Sequence, residues 1–252
     1  MSTALLTVSD IRKSFGGITA LDGLSFTVRQ GEILGIVGPN GAGKSAMINA
    51  VSGIYPTDSG SITLAGRDLT RLPAHERSRA GVARTFQNIR LFGRMSVLEN
   101  VLMARKEHVL NPLRSVFSGR RRQRVAEAMR QLEAMRLAAK ADWPASSLAY
   151  GEARRLEIAR ALANGPTLLF LDEPAAGMND QETALLIEDI RAARAGVDSI
   201  VIVEHDVALL RTLSDRMVAL HYGREIAEGS PEEVLSHPEV VRAYLGTVDD
   251  AH

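Results

Sequence analysis

Residues 38–45 read Gly38-Pro39-Asn40-Gly41-Ala42-Gly43-Lys44-Ser45, which fits the pattern G-x-x-x-x-G-K-[ST] of a phosphate-binding loop. The apolar run Ile33 to Val37 before this loop predicts a strand, and a helix is expected after it. Glycines let backbone N–H groups turn toward the β- and γ-phosphates, the helix adds its positive N-terminal end, and Lys44 adds a point charge. We therefore predict that residues 38–45 bind a nucleoside triphosphate and that Ser45 binds Mg²⁺. The alternative is a glycine-rich turn without a ligand.

A second candidate site follows the apolar run Leu168 to Leu171, which ends in Asp172 and Glu173. Ligand-binding groups of α/β proteins lie at the carboxyl ends of such strands. In a phosphate-loop enzyme, Asp172 is expected to bind Mg²⁺ and Glu173 to polarise the attacking water, because phosphoryl transfer needs positioning and charge stabilisation. A solvated strand end is the alternative, and the phosphate loop upstream makes it the weaker one.

A third apolar run, Ser199 to Val203, ends in Glu204-His205-Asp206. A single histidine near a strand end is usually structural. Here it follows another strand of the parallel type, so we predict that the His205 ring reaches the γ-phosphate and that Asp206 caps the next helix.

The order of these elements predicts an α/β core. Short apolar runs separated by turns indicate strands near the N-terminus, at Leu5 to Val8 and Leu24 to Val28. Ser96 and Glu99 have the spacing of a capping box, and helices are expected over much of 96–164. Beyond Thr167, continuous apolar runs alternate with helical segments near 180–194 and 207–214, which is typical of βαβ units and a parallel sheet.

The composition of the 252 residues limits the classes of function. The 30 basic and 30 acidic side chains cancel, so nucleic acid is a poor candidate for a partner. There are no cysteines, which excludes disulfides and thiolate metal sites. No apolar run approaches the roughly 18 residues of a spanning helix, and the start lacks the blocks of a signal peptide. Any role at a membrane is therefore expected to depend on a partner.

Taken in order, these residues resemble the ATPase subunits of ABC transporters along nearly the whole chain. Gln87 is similar to the family's Q-loop glutamine, which touches Mg²⁺ and the attacking water, and His205 to its switch histidine. Residues 175–179 resemble its D-loop, and Phe15 resembles the aromatic residue that stacks on adenine, the alternative being a core or turn aromatic. The signature motif L-S-G-G-Q corresponds to Leu148, Ala149, Tyr150, Gly151 and Glu152.

The resemblance implies a P-loop NTPase (RecA-like) fold: a parallel sheet core, an N-terminal antiparallel β subdomain and an inserted α-helical subdomain. It divides a single ATPase domain into a nucleotide-binding core at 1–88 and 165–252 and a helical subdomain at 89–164. It also implies ATP and Mg²⁺ as ligands, with Ser45, Gln87 and Asp172 around the metal, and ATP hydrolysis by Glu173, His205 and Gln87. The expected partners are a second ATPase subunit, two transmembrane permease subunits and, indirectly, a solute-binding protein, at the cytoplasmic face of the inner membrane.

Within the family, residues 84–92, 97–101 and 175–179 look like those of branched-chain amino acid importers. The length and the ending Tyr244-Leu245-Gly246 favour the longer of their two ATPase subunits. This predicts a heterodimer, with a homodimer as the alternative. Urea importers and the lipopolysaccharide-export ATPase are near neighbours, and a soluble ABC ATPase without a transporter or a small-molecule kinase are the rival classes.

Three departures from the family's pattern matter for the predicted sites. Ala149 replaces the signature serine and Glu152 the usual glutamine, so contact with the partner's nucleotide is expected to depend on the Gly151 backbone and the helix N-terminus. Ala46 replaces the threonine whose hydroxyl contacts the α-phosphate, although the position still belongs to the predicted nucleotide site. A lost hydrogen bond to a charged group costs at most about 1.5–3 kcal/mol, which weakens binding without abolishing it.

Overall fold

The computed structural model describes residues 3–87, 89–105 and 120–249. The strands in this part of the chain are β1 (Ala4–Phe15), β2 (Ile18–Arg29), β3 (Ile33–Val37), β4 (Ser59–Leu64), β5 (Arg67–Asp68), β6 (Val82–Arg84), β7 (Leu168–Asp172), β8 (Ser199–Val203), β9 (Arg216–His221) and β10 (Arg224–Gly229). Its α-helices are α1 (Lys44–Val51), α2 (Ala74–Arg79), α3 (Val97–Met103), α4 (Arg120–Ala134), α5 (Tyr150–Leu162), α6 (Asp180–Ala193), α7 (Val207–Leu213), α8 (Pro231–Ser236) and α9 (Pro238–Asp249).

The centre of the fold is a six-stranded sheet in the order β10-β9-β3-β8-β7-β6. All neighbours are parallel except the β9–β10 hairpin. Every residue of β3, β7 and β8 is buried, which explains why these strands are continuous apolar runs in the sequence. The predicted parallel core is confirmed.

Side chains that alternate along each central strand enter two different hydrophobic clusters. Leu34 and Ile36 of β3 pack with α1, whereas Ile33 and Val37 pack with α5, α6 and α7. The sheet therefore carries helices on both faces, and residues of α3 and α4 extend the second cluster.

The antiparallel N-terminal sheet has the order β2-β1-β4-β5. Its apolar face, which includes Leu6, Val28 and Ile62, shares one cluster with α1 and the parallel sheet. The first strand is longer than Leu5 to Val8, because β1 continues beyond a register shift at Asp10, whose φ is 47°.

Helix α3 begins with the predicted capping box. Ser96 Oγ accepts from the Glu99 N–H, and a Glu99 carboxylate oxygen accepts from the Ser96 N–H. Helices α3, α4 and α5 contact one another, as expected for residues 96–164. Asn88 and residues 106–119, the latter within the predicted helical subdomain, lie outside the described residues, and the subdomain boundaries stay a prediction.

The whole arrangement is the predicted α/β class with a parallel core and an N-terminal antiparallel sheet. Among the described residues, no helix is both long and apolar enough to cross a bilayer.

Candidate functional site

Four parallel strands end at the same edge of the central sheet, and each end carries a predicted site residue. The loop 38–43 follows β3, Gln87 lies three residues beyond β6, Glu173 follows β7, and His205 follows β8 by two residues. Because β3, β8, β7 and β6 are adjacent and parallel, residues far apart in the sequence converge here.

The phosphate loop joins β3 to α1 as predicted. Gly43, the N-cap of α1, has a φ of 101°, and a Cβ there would lie 2.8 Å from the Ala20 carbonyl oxygen. A side chain at Gly38 would meet the Leu220 carbonyl oxygen at 2.3 Å. Both positions therefore require glycine for steric reasons.

Lys44 is buried, and its ammonium group donates to the Gly38 and Pro39 carbonyl oxygens, the latter at 3.0 Å. Burial lowers its pKa, and the charges of Glu173 and Asp172 oppose that shift. The Lys44 ammonium group is thus directed at the phosphate loop and interacts electrostatically with the Asp172 and Glu173 carboxylates. Ser45, the next residue of α1, is exposed.

Glu173 holds Gln87 and His205 together. Its Oε2 accepts from Gln87 Nε2 at 3.0 Å, and its Oε1 lies 2.6 Å from His205 Nε2. The Glu173 backbone has a φ of 46° and its N–H donates to the Val203 carbonyl at 2.8 Å. A positive φ is costly for a residue other than glycine, and such strain is concentrated at functional sites. The three residues predicted to act in hydrolysis therefore form one contiguous group.

Asp172 is a nearly buried carboxylate paired with a cation that the sequence analysis did not assign. Arg84 Nη2 lies 3.4 Å from Asp172 Oδ2, and its Nη1 donates to Asn49 Oδ1 at 2.7 Å. Burial raises the pKa of Asp172, and Arg84 acts against that increase. Arg84 thus links the strand that carries Asp172 to helix α1.

The Asp172 carboxylate and the Ser45 hydroxyl are the oxygen ligands that Mg²⁺ prefers, and their small number suits an ion that also binds substrate phosphates and water. In the described ranges, no cluster of three or more His, Cys, Asp or Glu residues forms a metal cage. The donor set therefore fits Mg²⁺ bound together with a phosphate ligand.

Phe15 ends β1 and is 41% exposed. Its ring packs edge to face with Tyr55, with ring centroids 5.1 Å apart, and Lys13 Nζ lies 5.3 Å from the Phe15 centroid. A partly exposed aromatic ring next to an aromatic neighbour suits stacking against a planar base.

The segment Leu148–Glu152 lies at the N-terminus of α5, against residues 176–182. Ala149 occupies the N-cap with an extended backbone, and Glu152 accepts from the Ala149 N–H at 3.2 Å. Burial alone would raise the pKa of Glu152, but hydrogen bonds from Lys140 and from the Ala149 N–H outweigh it and lower the pKa. Glu152 thus supplies one half of a capping box, while Ala149 has no oxygen for the other half.

Three further residues hold the loops of this site. Glu204 is buried, and its carboxylate accepts from the Ala175 N–H at 2.8 Å and the His205 N–H at 3.1 Å. Arg154 and Glu157 of α5 hold the backbone of residues 86–87. The position of Glu204 directly after a strand was a signal for such a role. The other two residues lie within an ordinary helical pattern, which gave none.

Asp206 caps α7 as predicted, accepting from the N–H groups of residues 208 and 209.

Comparison with known families and proteins gives a consistent result. Residues 21–176 match the ABC transporter family, and residues 224–250 match the branched-chain amino acid ATP-binding cassette transporter family. The chain is 43% identical to the high-affinity branched-chain amino acid transport ATP-binding protein LivG of Salmonella typhimurium, over 98% of this chain and 99% of the relative. It is 40% identical to BraF of Pseudomonas aeruginosa, which carries the same description, with the same coverage.

Two other similarities are relevant to the alternatives. The lipopolysaccharide export system ATP-binding protein LptB of Escherichia coli is 37% identical over 96% of this chain and 98% of its own. Among solved structures, the ADP conformation of MJ1267, an ATP-binding cassette of an ABC transporter, superposes with a TM-score of 0.86 at 32% identity, covering 97% of this chain and all of the other.

Proposed function

The chain belongs to the ATP-binding family of ABC transporters, and from this premise we propose that it is the ATP-hydrolysing subunit of an importer for branched-chain amino acids. The observation that carries the enzymatic part is the contact of Glu173 with both Gln87 and His205 at the sheet edge that holds the phosphate loop. The similarity of the whole chain to LivG and BraF supports the choice of cargo.

In the proposed mechanism, the backbone of residues 38–45 and the Lys44 ammonium bind the β- and γ-phosphates. Glu173 polarises the attacking water, Gln87 orients it, and His205 contacts the γ-phosphate. Glu173 is suited to this role because its backbone is anchored on Val203 and its carboxylate has a partner on each oxygen. Preorganised groups of this kind lower the barrier by positioning and electrostatic stabilisation.

The remaining ligands are proposed for residues around the same site. Mg²⁺, when bound, neutralises charge on the phosphates, and Ser45, Asp172 and Gln87 would hold it. Phe15 would stack on the adenine. Ala46 would lie beside the α-phosphate. Because Ala46 has no hydroxyl, affinity for that phosphate would depend on backbone groups.

We assign the segment Leu148–Glu152 to the nucleotide of a second ATPase subunit. Support comes from its position at the N-terminus of α5, a 13-residue helix whose positive end suits a phosphate. A second, non-identical module is proposed as the partner, because the serine of this chain's signature is missing and a different subunit could compensate for it.

A groove between the loop 85–92 and α5 is proposed to receive the permease. It has a volume of about 650 Å³ and is lined by Phe86, Arg90, Phe92 and Arg160 among others. Phe92 is 49% exposed there, with the Arg160 guanidinium 5.3 Å from its ring centroid. Exposed aromatic and arginine side chains are typical of protein interfaces. The subunit is thus proposed to sit peripherally at the cytoplasmic face of the inner membrane, linked only indirectly to a solute-binding protein.

The enzymatic proposal is tested by Glu173→Gln in the reconstituted complex. We expect ATP turnover to fall by at least about 100-fold, the usual contribution of a positioned base, while ATP binding persists. Unchanged turnover would refute the assignment of hydrolysis to this chain.

The choice of cargo is tested separately by uptake of labelled leucine in cells with and without this chain, with unlabelled isoleucine and urea as competitors. We expect uptake to require the chain and to be reduced by isoleucine only. Uptake that is independent of the chain would remove the branched-chain assignment and favour the urea or lipopolysaccharide alternative, leaving the ATPase activity intact.

A further inference from the structure

Tyr150 stands where the signature pattern L-S-G-G-Q has its first glycine, and its side chain makes contacts that a glycine cannot make. Its hydroxyl donates to the Ala176 carbonyl oxygen at 2.9 Å. Its side chain lies against Gly177, at which a Cβ would be 3.4–3.5 Å from two ring carbons and the hydroxyl oxygen of Tyr150. One signature residue is therefore attached to the D-loop, residues 175–179, of its own chain.

The same hydroxyl also contacts Arg154, which holds the loop that carries Gln87. Arg154 Nη2 lies 3.4 Å from the Tyr150 hydroxyl and donates to the Gln87 carbonyl at 3.0 Å. The Nη1 of the same guanidinium donates to the Phe86 carbonyl at 2.8 Å, and Glu157 accepts from the Phe86 N–H at 3.2 Å. Arg154 is fully buried, so these bonds are made in a low-dielectric setting where losing one is costly.

The D-loop is joined in turn to the hydrolytic residues. The Ala175 N–H donates to Glu204, which also accepts from the His205 N–H, and the Ala176 N–H donates to the Glu173 carbonyl at 3.2 Å. A continuous set of hydrogen bonds thus runs from Glu173 and His205 through the D-loop to Tyr150, and from Tyr150 through Arg154 to Gln87.

We propose that Tyr150 is a positioning residue that couples the two nucleotide sites of the assembled transporter through this one chain. The inference rests on the proposed function, which assigns the segment Leu148–Glu152 to the partner's nucleotide. A shift of the D-loop or of Gln87 in the chain's own site changes the position of the α5 N-terminus through Tyr150, and a nucleotide bound at that N-terminus acts back on the D-loop. Such coupling is reciprocal by thermodynamic necessity.

The chain offers a matched set of variants. Tyr150→Phe removes only the hydroxyl, Tyr150→Gly removes the whole side chain, and Tyr222→Phe deletes a hydroxyl from an exposed tyrosine in the β9–β10 turn. The first measurement is amide hydrogen exchange on the purified chain. We expect Tyr150→Phe to accelerate exchange of residues 175–179 by roughly 2- to 10-fold, the effect of one lost hydrogen bond on local opening. Tyr222→Phe should leave that segment at the wild-type rate. Unchanged exchange in Tyr150→Phe overturns the proposed contact.

The second measurement is the dependence of ATP turnover on ATP concentration in the reconstituted complex. We expect Tyr150→Phe and, more strongly, Tyr150→Gly to lower the Hill coefficient relative to wild type, which a merely structural role would not do. A Hill coefficient that both variants leave at the wild-type value overturns the coupling. The Glu173→Gln complex separates this result from the proposed function: turnover that survives that change refutes the hydrolytic assignment, whereas the exchange experiment still decides whether Tyr150 holds the D-loop.

Discussion

Single residues of this site show how a carboxylate acquires a fixed direction. Glu173, directly after the buried strand β7, has a positive φ, and Gln87 and His205 contact its two carboxylate oxygens. Asp172, one residue earlier, is held by Arg84 instead. Adjacent carboxylates thus have separate partners, in agreement with the different roles proposed for them.

The contribution of Arg84 is tested by Arg84→Gln. The change removes a partly buried cation that contacts Asp172, Asn49 and Ser52, so we expect the free energy of unfolding to fall by about 1.5–3 kcal/mol. We also expect Asp172 to be misplaced and ATP turnover to be roughly tenfold slower. This equals an increase of about 1.4 kcal/mol in the activation free energy. Urea unfolding and steady-state kinetics measure both effects. Arg67→Gln, at an exposed position of β5, is the control, and equal behaviour of the two variants would contradict the role of Arg84.

Ala46 allows a second test at the level of one hydroxyl group. Ala46→Thr should bind ATP roughly 10- to 150-fold more tightly than wild type, because it restores a hydrogen bond to a charged phosphate, worth about 1.5–3 kcal/mol. Ala46→Val has nearly the same shape without the hydroxyl and is the matched control. Binding of a fluorescent ATP analogue measures the difference. If Val and Thr bind equally well, the α-phosphate contact at this position does not exist.

Among the elements, α5 combines several functions at its N-terminus. The helix carries Tyr150 and Arg154, which touch two loops of the site, and its first turn is only half capped because Ala149 lacks a side-chain oxygen. We expect Ala149→Thr to be about 1 kcal/mol more stable than Ala149→Val, since the hydroxyl can accept from the orphan N–H groups of the first turn. Thermal unfolding of the two purified variants measures the difference. A more stable valine variant would show that the cap is already satisfied.

Glu152, the other half of the capping box, predicts that the stability of the fold depends on pH. Although burial acts in the opposite direction, hydrogen bonds from Lys140 and from the Ala149 N–H hold the pKa of Glu152 below its ordinary value of 4.5. Because the folded-state pKa is lowered, the charged carboxylate stabilises the fold above about pH 4.5, and this contribution disappears as the pH falls through the folded-state pKa. Wild type should therefore have a higher urea midpoint than Glu152→Gln at about pH 7 and lose that advantage progressively as the pH falls below 4.5. A difference that does not change with pH would exclude the charge as its cause.

The elements that sequence patterns predicted well are those with a strong local cause. Strands β3, β7 and β8 were predicted because both of their faces are buried, and α3 because Ser96 and Glu99 form a capping box. The extension of β1 beyond Val8 was not predicted, because it depends on pairing with β2 and β4 rather than on an apolar run.

For the molecule as a whole, the limits of prediction are contacts between distant segments. Sequence patterns placed Glu173 and His205 at the ends of predicted strands, and the family resemblance added Gln87. The contacts of Arg84 with Asp172 and of Arg154 with residues 86–87 were not predicted at all. Such pairs are separated by 67 to 88 positions, and their polar side chains leave no periodic signal in either segment. Only the order of strands in the sheet brings them together.

The assembly itself gives the last prediction. If the phosphate loop of one module and the signature of another enclose the same nucleotide, association must require ATP and must persist when hydrolysis is blocked. The Glu173→Gln chain, mixed with ATP and the non-identical ATPase subunit proposed as its partner, should therefore run at the mass of a mixed dimer in light scattering. Lys44→Ala combined with Glu173→Gln should weaken this association, since the γ-phosphate loses its cation. Because Ala149 lacks the hydroxyl of the signature serine, we expect the chain to form dimers with itself less readily than with that subunit. Self-association of equal strength would contradict the unequal pair and favour a homodimer.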